Sequence, residues 1–82
     1  MAKKETAKKE TQELDKQARV RLTFTGNIET LKPITVDAYD KGAVEVIFER
    51  VEGDDLGRLT VVFEGKANHV VSIVYDMNRH AQ

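Results

Sequence analysis

Cysteine and tryptophan are both absent from this 82-residue chain, which carries one proline, three phenylalanines and two tyrosines. Without cysteine there is no disulfide and no thiolate metal site to reinforce a domain whose core is small. No apolar run exceeds three residues, so no segment can cross a bilayer as a helix. No apolar stretch follows the N-terminal lysines, so no secretory signal is expected, and the cysteine-free composition fits the cytoplasm. Net charge is also missing: thirteen basic side chains nearly balance fourteen acidic ones. The length allows one domain.

The near-neutral total hides a division. Residues 1–21 carry a net charge of +3 and residues 22–82 a net charge of −4. Among residues 1–19 only Met1 and Leu14 are large and apolar, whereas 28 of the 63 residues from Val20 onward are apolar and ten of those are Val. The organisation expected is a polar basic arm over 1–18, a single β domain over 19–77 and a fraying tail over 78–82. The arm repeats Ala2-Lys3-Lys4-Glu5-Thr6 as Ala7-Lys8-Lys9-Glu10-Thr11. Glu5 and Lys9 are a favourable helical pair at i,i+4, and a short helix is expected near residues 10–18.

From Val20 the apolar period is two. Val20, Leu22 and Phe24 alternate with polar residues and predict a first strand. Ile34, Val36 and Ala38 predict a second, and Gly42 stands where the left-handed residue of a three-residue hairpin belongs. The hairpin pairs Ala38 with Val44, Val36 with Val46 and Ile34 with Phe48. A third strand is expected over 43–51 and a fourth over 58–64, with Leu59, Val61 and Phe63 inward, Phe48 beside Val61 and Val46 beside Phe63. Val71, Ile73 and Tyr75 predict a fifth, paired with the fourth. The fold class expected is therefore mainly β: a short N-terminal helix, then a five-strand antiparallel meander, strongly bent or closed into a small open barrel by pairing of the first and fifth strands.

In that register the outward face is unusually apolar. Ile47 faces Val62, and Val51, Val70 and Val74 extend the stripe. A single-layer sheet is expected to alternate apolar-in and polar-out. The stripe points to self-association or a protein partner. A homo-oligomer is the expectation, acting as a non-catalytic binding or regulatory module.

Chemistry is sparse. There is no phosphate loop, zinc-helix motif or nucleophile elbow. His69 and Ser72, three apart on a strand, point to opposite faces and cannot act together. The acidic turn Glu52-Gly53-Asp54-Asp55 lacks the alternating oxygen ligands of a calcium loop and reads as a solvated tip. No metal, cofactor or enzymatic activity is expected.

RNA is the alternative partner. Lys3, Lys4, Lys8, Lys9, Arg19 and Arg21 make the N-terminal part basic, and Tyr39 or Phe24 could stack on a base if exposed. The run Asn68-His69-Val70-Val71-Ser72-Ile73-Val74 is similar to the Lys-His-Ala-Ile-Ser-Thr-Val run in the last strands of Hfq. Val36-Asp37-Ala38-Tyr39-Asp40 resembles the apolar stretch ending in an aromatic and Asp that its family carries. Glu64-Gly65 lies where Sm proteins often have Arg-Gly. The chain thus resembles the Sm/Hfq family of RNA-binding rings over roughly residues 12–76. It departs from the family in having Asn68 for Lys before His69, Pro33 near an expected glycine, and a longer spacing from Gly26 to Tyr39. The resemblance implies a small barrel and places Tyr39, Asn68 and His69 at an RNA-binding rim.

Overall fold

The computed structural model describes residues 16–51 and 55–81. The elements run β1 (Gln17–Asn27), α1 (Ile28–Asp40), β2 (Glu45–Arg50), β3 (Leu56–Lys66), α2 (Ala67–Met77) and a 3-10 turn (Asn78–Ala81). The sheet has three antiparallel strands in the order β1-β3-β2. Both helices pack on one of its faces.

This overturns the five-strand meander. Two of the five expected strands, around residues 34–39 and 70–75, are helices. The barrel implied by the Sm/Hfq resemblance goes with them. The expected N-terminal helix falls almost wholly outside the described residues, and Gln17 and Ala18 open β1.

The reason for each helix is visible in its buried residues. In α1 these are Leu31, Ile34 and Ala38, at i, i+3 and i+7, whereas Val36 is 60% exposed. In α2 they are Val70, Ile73 and Met77, again at i, i+3 and i+7, whereas Val71 and Tyr75 face solvent. Both segments satisfy a period of two and a period of 3.6 at once. The layer requirement decides between them. An apolar sheet face must be covered by a second layer, and a five-strand meander supplies none unless it closes. Two helices supply it directly.

Local signals agree. The Asn27 side chain accepts a hydrogen bond from the Glu29 backbone N–H at 2.9 Å and caps α1. Gly42, at φ +84°, ends α1. Its N–H donates to the Tyr39 carbonyl and that of Ala43 to the Ala38 carbonyl, both at 3.0 Å. This is the paired bonding of a Schellman stop. Gly42 is left-handed as expected, but it closes a helix instead of turning a hairpin. Pro33 is tolerated inside α1 despite lacking an N–H.

The core lies between the helices and one face of the sheet. Val20, Leu22 and Phe24 pair with Phe63, Val61 and Leu59 across β1 and β3. Val46 pairs with Val61 and Phe48 with Leu59 across β2 and β3. That register is shifted by two residues from the one expected, which keeps parity and so keeps the same side chains inward. Gly57 is buried under Phe48 and Leu31, and a Cβ there would meet the Phe48 ring at 3.1 Å and the Glu49 carbonyl at 3.2 Å.

Candidate interaction groove

The helix that covers the sheet leaves a groove along β2. Ile28, Lys32, Thr35 and Val36 follow one another on the flank of α1, and Phe48 of β2 forms the opposite wall. The groove is open and encloses about 500 Å³. Its surface is almost wholly apolar. The Thr35 hydroxyl donates to the Leu31 carbonyl at 2.9 Å, and the Lys32 ammonium lies 3.2 Å from the Glu29 carboxylate. Phe48 is 43% exposed although its inner edge rests over Gly57. Val44, Val51 and Leu56 are also exposed, just before β2, just after it and at the start of β3.

β2 is also an edge. Among the described residues it pairs only with β3, so its outer backbone groups face away from the sheet. An edge strand beside an apolar groove combines two recognition elements: free main-chain donors and acceptors, and a seat for alternate side chains.

A second hollow of about 230 Å³ lies at the other edge, lined by Thr23, Phe24 and Thr25 of β1, Thr30, Leu31 and Ile34 of α1, and His80. Beside it His80 Nε2 lies 2.8 Å from Asp37 Oδ2, and Lys41 Nζ lies 2.6 Å from Asp37 Oδ1. The hydrogen bonds from Lys41 and then His80 hold the Asp37 carboxyl below its ordinary range. The tail read as fraying thus carries a turn tied to α1.

The open face of the sheet, opposite the helices, carries Arg19, Arg21, Thr23 and Thr25 of β1, Arg58, Thr60, Val62 and Glu64 of β3, and Glu45, Ile47 and Glu49 of β2. Arg19 bridges Glu64 at 2.7 Å and Glu45 at 3.4 Å. Val62 is almost fully buried there, between its cross-strand neighbours Arg21 and Glu45.

The residues singled out from the sequence are dispersed by this fold. Ile47 and Val62 share the open face, but Ile47 stands opposite Thr60 and Glu45 opposite Val62. Val51 lies exposed just past β2. Val70 and Val74 belong to α2, on the covered side, Val70 buried and Val74 half-buried. The apolar stripe across three strands does not form, because its third strand is a helix. Tyr39 is exposed in the last turn of α1, and Asn68 and His69 in the first turn of α2, at the same end of the sheet. Arg19 and Arg21 are on the open face, and Lys3, Lys4, Lys8 and Lys9 lie outside the described residues. The acidic turn is outside them too, except for Asp55, which is 3.7 Å from Arg50. His69 and Ser72 are three apart on a helix and so share a face, which reverses the strand-based argument for their separation. Among the described residues no three His, Asp or Glu side chains gather into a metal-binding group, and no helix is long and apolar enough to cross a membrane.

Sequence reasoning missed Ile28, Lys32 and Phe48 as site residues. The signal was present. Once Leu31, Ile34 and Ala38 are taken as the core stripe behind an Asn cap, Ile28, Lys32 and Val36 fall at i, i+4 and i+8 on the flank.

Compared with protein-family models, with curated proteins and with solved structures, the chain matches none.

Proposed function

We propose that the chain is a non-catalytic protein-interaction module that takes up an extended segment of a partner protein alongside β2, with alternate side chains seated in the groove between α1 and β2. The observation that carries this reading is the apolar groove lying directly beside an unpaired strand edge. Strand addition satisfies the free backbone groups of the edge, and the groove selects the side chains.

The residues along β2 specify the segment. A strand added antiparallel to β2 sets one residue opposite each of Glu49, Phe48, Ile47, Val46 and Glu45. Phe48 and Val46 are on the helix side, Glu49 and Glu45 on the open side. The complementary pattern is basic, apolar, any, apolar, basic. It reads the same in both chain directions.

RNA is the weaker reading. Sheet-based RNA binders stack bases on aromatic rings, and the described open face carries Arg, Thr and Glu with Ile47 and Val62 but no ring.

A display library of ten-residue peptides, selected on the chain and counter-screened on Val36→Glu, tests the proposal. Val36 is exposed, so the substitution leaves the core untouched. The expected result is enrichment of the stated pattern, with binding reduced at least about tenfold by Val36→Glu. Peptides that bind Val36→Glu as well as the wild type would sink it. So would failure to select any pattern while single-stranded RNA binds in a salt-dependent way.

A further inference from the structure

The other edge of the sheet carries an independent inference. β1 is eleven residues long and, among the described residues, pairs only with β3. It contains no proline, lysine or acidic residue. Apart from two arginines on the open face, such an edge lacks the common devices that discourage strand addition. Val20 and Leu22, on the helix side, are only half-buried. We propose that two copies of this chain join through their β1 edges, antiparallel about a two-fold axis at Leu22, to form one continuous six-stranded sheet.

The register follows from side-chain parity and charge. For the helices of both copies to lie on one face, residues directly opposite each other must point to the same side. The axis must then pass through a residue. Centred on Leu22, all eleven residues of β1 overlap. On the helix side Leu22 meets Leu22 of the second copy, and Val20 meets its Phe24. On the open side Arg21 meets Thr23 and Arg19 meets Thr25. Moving the centre to Arg21 sets Arg21 against itself, and moving it to Val20 sets Arg19 against Arg21. Moving it towards Thr23 or Phe24 keeps the arginines apart but shortens the overlap. The Leu22 register is the longest, and it sets no arginine directly opposite another. The hollow between Phe24, Ile34 and His80 then takes Val20 of the second copy. β2 is less suited to pairing with itself, because centring on Ile47 sets Glu45 against Glu49.

This dimer does not depend on the peptide groove, which lies at the opposite edge. Analytical ultracentrifugation of the full 82-residue chain tests it with two substitutions of opposite sign at one site. Thr23 is exposed, and its partner within the chain is Thr60, so neither substitution enters the core. In the proposed register it faces Arg21 of the second copy. Thr23→Lys is expected to weaken the dimer about three- to tenfold, and Thr23→Glu to tighten it by a similar factor, since each acts twice across the axis. The chain has no cysteine of its own, so a mixture of Arg21→Cys and Thr23→Cys chains gives a specific disulfide under mild oxidation if these positions are opposed. Val36→Glu leaves the dimer intact. A monomer at all concentrations up to about 100 times a micromolar Kd would overturn the proposal. An oligomer indifferent to the sign of charge at Thr23, or abolished by Val36→Glu, would do the same.

Discussion

The two faces of the sheet are built from the same strands, yet they are held in different ways. On the helix side Leu59, Val61 and Phe63 are each at most 1% exposed and meet Leu31, Ile34, Ala38, Ile73 and Met77. On the open side the alternate residues are mainly arginine, threonine and glutamate, joined by ion pairs whose side chains remain about half in water. Burial of apolar area stabilises by roughly 25 cal/mol per Å², while an exposed ion pair contributes about 0–1 kcal/mol. Stability therefore resides on one face, and the other face and the two edges are free to carry recognition. Val62 is the exception, an apolar residue buried on the open face at 1% exposure.

The sharpest way to break this comparison is to truncate one residue on each side of β3. Phe63→Ala is expected to cost about 3–5 kcal/mol, because it removes a large side chain and leaves a cavity beneath both helices. Val62→Ala, one residue away in sequence, is expected to cost about 1–2 kcal/mol, because the flanking Arg21 and Glu45 chains can collapse into the space. Urea denaturation measures both. Equal costs would mean that the open face is as fully packed as the helix side.

That same strand shows how much of the fold was legible. The alternation of Leu59, Val61 and Phe63 predicts an inward-facing strand, and β1 and β2 are legible for the same reason. What failed was the assignment of Ile34-Thr35-Val36-Asp37-Ala38 and Val70-Val71-Ser72-Ile73-Val74. In each, the β-branched content and one face of the alternation favour a strand. These preferences amount to a few tenths of a kcal/mol per residue. Burying Leu31 and Ile34, or Ile73 and Met77, as one helical stripe contributes about 1.5–3 kcal/mol per side chain. The burial wins, but it depends on a sheet that only exists once the chain has folded. Two local marks could have tipped the reading: Asn27, which caps, and Gly42, which fits a helix stop as well as a hairpin bulge. The groove was illegible for a related reason. A strand over these residues pairs Val36 with Val46, and the flank that Val36 forms with Ile28 and Lys32 exists only on a helix.

Asp37 sharpens the comparison at intermediate magnitude, because its ion pairs differ from those on the open face in being partly shielded. Its side chain is 28% exposed, and those of Lys41 and His80 are 21% and 29% exposed. Its carboxyl is held below the ordinary value in the folded chain. A depressed carboxyl contributes stability at pH values above its unfolded pKa, near 4, and that contribution is lost as the pH falls through the lower folded value. Allowing for solvent screening, the contribution is about 1 kcal/mol or less. Asp37→Asn is expected to lower the Tm near pH 6 and to flatten its decline as the pH falls through and below the unfolded value near 4. A variant whose acid limb coincides with that of the wild type would show that the Asp37 cluster is not more strongly coupled than a surface pair.

The smallest effect is expected at Arg19. It bridges Glu64 and Glu45, and thus β1, β3 and β2, at distances of 2.7 and 3.4 Å. The geometry invites a structural role, since one guanidinium spans the whole width of the sheet. The exposure argues otherwise. The Arg19 side chain is 53% exposed and its partners 48% and 45%, so most of the attraction is given back to water and salt. Arg19→Ala is expected to cost about 0–1 kcal/mol, with a difference from the wild type that shrinks further in about 0.5 M salt. The cross-strand backbone bonds and the core beneath them hold β1 in place without it. A loss above about 2 kcal/mol, or one that persists in high salt, would mean that the open face carries stability of its own. A loss within the expected range, measured beside Phe63→Ala in the same buffer, would show that an ion pair spanning three strands adds little to a sheet already held by its helix-side core.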